Sequence, residues 1–241
     1  MRPIALAALL LPLAACHVGA DDNDPGVAGS GSGNARSYPV ADFTQVELGG
    51  SDEVDVRVGS AYSVRAQGSP AALNRLRIDK KGDTLEIGRR RGMSFSNGRD
   101  KARVLVTLPK LTGASVAGSG AMKVDRVSGD AFAASLAGSG SLGVASLTVN
   151  RVAADVSGSG SLRASGRTKA LNVQMAGSGS VDAPGLMAAR ASVSVAGSGN
   201  VRATVNGPAS VNIMGSGDVN LGAAARCTVS KMGSGSVRCG G

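Results

Sequence analysis

Aromatic residues are almost missing from this 241-residue chain, which has no Trp, two Tyr and three Phe. Tyr38, Phe43, Tyr62, Phe95 and Phe132 are too scattered to form the stacking row that bases or sugars would need. Histidine is nearly absent too, since His17 is the single copy and lies beside an expected processing site. That excludes a Ser-His-Asp triad and a His-ligated zinc centre. Glycine, by contrast, supplies 36 residues, without the strict every-third spacing of collagen. Hydrophobic residues make up 42% of the chain, mostly Ala, Val and Leu. A core is therefore possible, but it must be built from small side chains.

The first residues read MRPIALAALLLPLAACH. Arg2 precedes an apolar run, Ile4–Leu13, too short to span a bilayer as a helix. Residues 1–15 read as a secretory signal peptide. Leu13-Ala14-Ala15-Cys16 resembles a bacterial lipobox, which implies cleavage before Cys16, lipidation of that cysteine and a membrane anchor. His17, where inner-membrane lipoproteins carry Asp, implies the outer membrane, on its periplasmic face or at the cell surface. Two further cysteines, Cys227 and Cys239, lie near the C-terminus. In an oxidising envelope compartment they are expected to form a disulfide that closes this end of the fold.

Residues 16–37, with DDNDPG and GSGSG, read as the lipidated Cys and a flexible tether. From 38 to 111 the pattern becomes one of strands. Val54-Asp55-Val56-Arg57-Val58 and Val104-Leu105-Val106-Thr107-Leu108 alternate with period two, as half-buried strands do. Residues 71–76 have room for one helical turn. Charge concentrates here: between Arg65 and Lys110, 12 Lys and Arg face 4 Asp and Glu, a net +8 out of +9 for the whole chain. Arg89, Arg90, Arg91, Arg99, Lys101 and Arg103 are its densest part. They read either as a patch for anionic polysaccharide, lipopolysaccharide or a host surface, or as a solvated basic loop. Nucleic acid is not expected, because the chain is exported and its cations lack interleaved aromatics.

A repeat occupies 112–241. Gly-Ser-Gly recurs seven times there, with its two glycines at Gly118 and Gly120, Gly138 and Gly140, Gly158 and Gly160, Gly177 and Gly179, Gly197 and Gly199, Gly215 and Gly217, and Gly233 and Gly235. The intervals are 20, 20, 19, 20, 18 and 18 residues. Apolar or small residues recur at −4, −2, +4 and +6 from the first glycine, for example Ala154, Val156, Leu162 and Ala164. Each unit is thus two short strands joined at the tripeptide. One unit cannot bury its own apolar face, but stacked units can. The expected fold is all-β, a parallel β-helix or β-solenoid with coils of about 18–20 residues. Seven coils at about 4.8 Å give a rod of roughly 30–35 Å. The glycines serve sharp corners with positive φ, and the serines between them have the chance to form a hydroxyl ladder. Lys231 replaces the inward apolar residue of the last coil, and with the disulfide it suits a terminal cap.

Cofactor and catalytic motifs do not emerge. A phosphate-cradling loop needs a following Lys-Ser/Thr and a helix. Calcium solenoids use GGxGxD, a pattern this repeat lacks. No cofactor and no metal is expected. Glycoside hydrolysis needs two facing carboxylates. Asp125, Asp130, Asp155, Asp182 and Asp218 fall at different places in the repeat, and Asp52, Glu53 and Asp55 read as solvated acids on a turn and an outward strand face.

Three stretches carry a resemblance: Phe43–Val58, FTQVELGGSDEVDVRV; Gly82–Ile87, GDTLEI; and Val104–Leu111, VLVTLPKL, which leads into the first SVAGSG. In this order they resemble the putative autotransporter adhesin head GIN domain family over residues 38–241. The resemblance implies a secreted or envelope-attached β-solenoid with an adhesion role. No barrel-forming strands follow the repeat, so the lipobox is the expected attachment. The expected function is that of a non-enzymatic envelope lipoprotein, adhesin-like and surface-binding. The alternatives are a periplasmic structural or stress-related protein without external ligand and, less favoured, a polysaccharide-acting enzyme.

Overall fold

A computed structural model describes residues 26–90 and 101–240. The signal peptide, Cys16, Arg91 and Arg99 lie outside the described residues. Strand accounts for 72% of the structure, which is a β-solenoid of about six turns.

The N-terminal part contains β1 (Ala35–Tyr38), β2 (Gln45–Gly50), β3 (Glu53–Val58), β4 (Ser63–Gln67), helix α1 (Pro70–Arg75), β5 (Leu76–Lys81), β6 (Thr84–Arg89) and β7 (Arg103–Leu108). The expected single helical turn is α1, started by the Ser69 hydroxyl, which accepts from the Ala72 amide, and by Pro70 in the first turn. The end of the expected tether is ordered: Ala35–Ser37 belong to β1, which pairs antiparallel with β4.

The repeat supplies β8 (Gly113–Gly118), β9 (Ala121–Gly138), β10 (Ser141–Gly158), β11 (Ser161–Gly177), β12 (Ser180–Gly197), β13 (Asn200–Val205), β14 (Pro208–Gly215), β15 (Asp218–Gly222), β16 (Arg226–Met232) and β17 (Ser236–Cys239). The long strands β9 to β12 bend around the coil and contribute to more than one flank. The first flank runs from β6 through β2, β8 and the second halves of β9 to β12 to β14 and β16, all parallel. The second flank runs from β7 through β3 and the first halves of β9 to β12 to β13, β15 and β17, also parallel. A third flank closes each coil, with Val127, Leu147 and Leu186 pointing inward.

Stacking begins earlier than the tripeptides do. Gly50 pairs in register with Gly118, and Val46, Leu48, Val54 and Val56 occupy the −4, −2, +4 and +6 positions, all buried. Residues 45–58 are therefore a coil of the same solenoid, with Gly50-Ser51-Asp52 as its corner. Strands β6 and β7 form a further coil outside it. Antiparallel β5 and β4 then close that end. Leu73 and Ile78 are buried in this cap, and Val, Leu and Ala, with Phe132, Met122 and Met175, fill the stack below. Each fully buried Val or Leu contributes about 1.5–3 kcal/mol of apolar transfer, repeated in every coil.

The two glycines of each corner are required for different reasons. The first has a positive φ, 111° at Gly158 for example, which L side chains rarely adopt. The second does not, but a Cβ on Gly160 would lie 2.7 Å from both the Gly140 carbonyl oxygen and Leu136 Cδ2. The expected hydroxyl ladder does not form. Backbone amides make the ladder instead, as where Ser139 N–H donates to Gly118 O at 3.0 Å and Ser159 N–H to Gly138 O at 2.9 Å. The corner hydroxyls point to solvent.

At the C-terminal end Cys227 and Cys239 form a disulfide, as expected. It joins β16 to β17 across the last coil. Lys231 is exposed, and its ammonium donates to the Gly235 carbonyl at 2.9 Å. None of the described residues stacks beneath this coil, and Val229 and Met232 are exposed.

Candidate functional site

The basic segment singled out in the sequence is partly committed to the fold. Asp52 stands where later corners have their second glycine and is 1% exposed. Its carboxylate accepts from Arg89 Nε at 2.9 Å, from an Arg89 terminal nitrogen at 2.7 Å and from the Ala102 amide at 2.8 Å. This corrects the reading of Asp52 as a solvated acid: a buried carboxylate needs such partners. Arg89 is thereby a structural clamp. Arg103 pairs with Asp55, which raises the arginine above its ordinary range. Arg90 and Lys101 are exposed. The loop thus keeps these two among its described cations facing solvent without a carboxylate.

A second cationic region, not marked by any run in the sequence, lies where the third flank turns into the first. An open groove of about 790 Å³ runs there across six coils, from Gln45 and Lys110 to Arg190 and Ser192. Its floor consists of short side chains, Ala131, Ala133, Ala153 and Ala170, over the buried Phe132, Val152 and Leu171. Short residues leave the corner hollow, whereas the cations beside them stand up as a rim.

Register explains the rim. Ala131, Arg151, Ala170 and Arg190 are successive partners in the stack, so every second coil carries an arginine. Lys110 and Lys169 stand one position earlier, three coils apart, with Asp130 and Asn150 between them. Pro208 and Arg226 pair in the coils beyond Arg190. On the other rim, Asn172 and Ser192 face outward from the first flank. Asp130 is the single carboxylate lining the groove. A hydrogen bond from Asn150 at 3.0 Å, then the charges of Arg151 and Lys169, hold it below the usual carboxylate range. Arg151 also hydrogen-bonds Asp130. Lys110 and Arg190 have no ion-pair partner among the described residues, so their charge is free to meet a ligand.

The acids of the repeat do not converge. Asp125 accepts from the Val58 amide at 3.0 Å. Asp182 pairs with Arg202. Asp218 accepts from the amide and hydroxyl of Ser236, which lowers its pKa and ties β15 to β17. Among the described residues no group of three His, Cys, Asp or Glu is placed to hold a metal. The groove can attract and align an anion. It presents no acid–base pair.

The arrangement can be set beside known proteins. The family described as putative auto-transporter adhesin, head GIN domain, matches residues 42–225. No curated protein matches the chain. A putative adhesin from Bacteroides fragilis superposes with a TM-score of 0.78 at 18% identity, over 87% of this chain and 98% of that one. A putative adhesin from Parabacteroides merdae gives 0.68 at 15%, over 88% and 97%. A putative lipid binding protein from Parabacteroides distasonis gives 0.65 at 19%, over 88% and 98%. At these identities the likeness establishes the fold.

Proposed function

The chain belongs to the family of putative auto-transporter adhesin head GIN domains, and from that premise we propose that it is a non-enzymatic envelope protein that works by binding. In this reading it is exported, lipidated at Cys16 and held at the outer membrane, and the solenoid displays its corner groove to an external surface. The observation that carries the reading is the groove itself: an open channel across six coils whose rim cations Lys110 and Arg190 have no ion-pair partner among the described residues. A rigid stack holds those charges at fixed spacing, which favours recognition of an extended target over turnover of a small one. The scattered acids support binding without catalysis. Cys16 supplies the attachment.

One observation favours a second reading, a periplasmic structural protein with no external ligand. The outward column of the first flank is Ser115, Ser135, Asp155, Gln174, Ser194, Asn212 and Ser230, nearly uncharged and flat. Such a face suits packing against another envelope component. Protease shaving of intact cells separates the two, with a periplasmic protein as control. Loss of the mature chain from intact cells is the expected result. Protection until the outer membrane is breached would refute surface display and leave the structural reading.

A further inference from the structure

The rim of the groove has a period, and a period implies a polymer. Arg151, which shares its charge with Asp130 at the rim, and Arg190, which has no ion-pair partner among the described residues, occupy the same column two coils apart, about 9.6 Å at the strand spacing of a sheet. Arg226 continues the column two coils further on, beyond the end of the groove. We infer that the groove takes a linear acidic polysaccharide, lying along the solenoid axis, with one anionic group per disaccharide read by this column. The inference rests on the reading of the chain as a binding protein and names its ligand class.

The chemistry of the two rims fits a sugar chain. Carboxylates or sulfates meet the arginine column on one side. Hydroxyls meet the amide of Asn172 and the hydroxyl of Ser192 on the other. The alanine floor accepts the C–H faces of the rings in place of an aromatic platform. A two-coil step is comparable to the repeat of an extended disaccharide, so successive anions reach successive arginines without bending the chain. A lipid is the less favoured ligand. The cations are strung along the axis and not gathered around one headgroup. Exposed rim charges give weak single contacts, so affinity accumulates with polymer length and falls as salt rises.

Titration of the exported chain carrying Cys16→Ser, and so free of the proposed lipid, with sodium polygalacturonate of increasing length tests this, with neutral dextran and phosphatidylglycerol vesicles as comparison probes. The expected result is binding to polygalacturonate that strengthens with length, and none to dextran. Arg190→Glu should weaken it about tenfold or more, as expected for loss of a charge-assisted contact. Arg163→Glu makes the same change in net charge on the second flank and should leave binding nearly unchanged. Both variants alter exposed side chains, and unchanged melting confirms that they fold. Equal losses from the two variants would overturn the inference in favour of bulk charge attraction. Binding to vesicles alone, lost in Arg190→Glu, would overturn the polysaccharide while leaving the groove as a binding site. No binding to any probe would overturn the ligand class, and the shaving experiment would then decide separately whether surface display survives.

Discussion

Two corners of each coil in this solenoid are unlike. At the Gly-Ser-Gly corner the seven repeats carry the same three residues, and the backbones of successive coils approach so closely that no Cβ fits on the second glycine. At the opposite corner the residues change from coil to coil: Ala131, Arg151, Ala170, Arg190. The first corner is uniform because every coil must solve the same steric problem. The second has room, so it carries chemistry. Regularity in a repeat therefore marks what holds the fold, while departures from regularity mark what the fold displays.

The corner of the first coil sharpens the contrast, because Asp52 sits there in place of glycine. Arg89→Ala should produce the largest loss of stability, about 3–5 kcal/mol, by leaving a buried carboxylate without its cation. Denaturant unfolding measures it, and Arg89→Ala with Asp52→Asn should recover part of the loss. Next comes Gly160→Val, which overpacks a later corner against Gly140 and Leu136 and should cost about 3 kcal/mol. The same readout applies, and a loss below about 1 kcal/mol would show the corner to be looser than its geometry implies. Replacing Cys227 and Cys239 together by Ser should cost about 2–3 kcal/mol. Because a solenoid couples neighbours only, hydrogen exchange should rise in β16 and β17 and stay unchanged in β9.

On the variable corner the expectations invert. Arg190→Glu should leave stability within about 0.5 kcal/mol while abolishing most polyanion binding. The smallest effect belongs to Asp130. Its pKa is depressed, so its favourable contacts with Asn150 and Arg151 are present above the unfolded value of about 3.9 and are lost as pH falls through the lower folded value. Protonation removes the groove's negative charge and frees Arg151. Binding to dextran sulfate, whose sulfates stay charged, should therefore strengthen modestly on acidification below that range. Asp130→Asn should bind more tightly at neutral pH and lose this acid response.

The sequence made the uniform corner easy to read. Seven tripeptides at near-constant spacing define the coil, its inward positions and the disulfide that ends it. The first coil was harder, because Asp52 breaks the tripeptide, although Val46, Leu48, Val54 and Val56 keep its apolar positions. The groove was not legible. Lys110, Arg151 and Arg190 are scattered over 80 residues and meet only through the stacking register. The run around Arg89–Arg91 drew notice because its charges are adjacent in the chain, yet adjacency said nothing of Arg89 being bound to Asp52. Aligning the repeats and scanning the columns for cations, and not only for apolar residues, would have exposed the Arg151 and Arg190 column.

Lysine acylation footprinting of the mature chain, with and without polygalacturonate, tests most directly whether the variable corner is the working surface. Lys110 lines the groove and Lys169 stands beside it, near enough for its charge to act on the groove's Asp130, whereas Lys101 belongs to the basic segment and Lys123 to the second flank. The account predicts that the polymer shields Lys110 and Lys169 and leaves Lys101 and Lys123 reactive. Shielding of Lys101 with Lys110 and Lys169 still reactive would contradict it and return the binding surface to the basic segment.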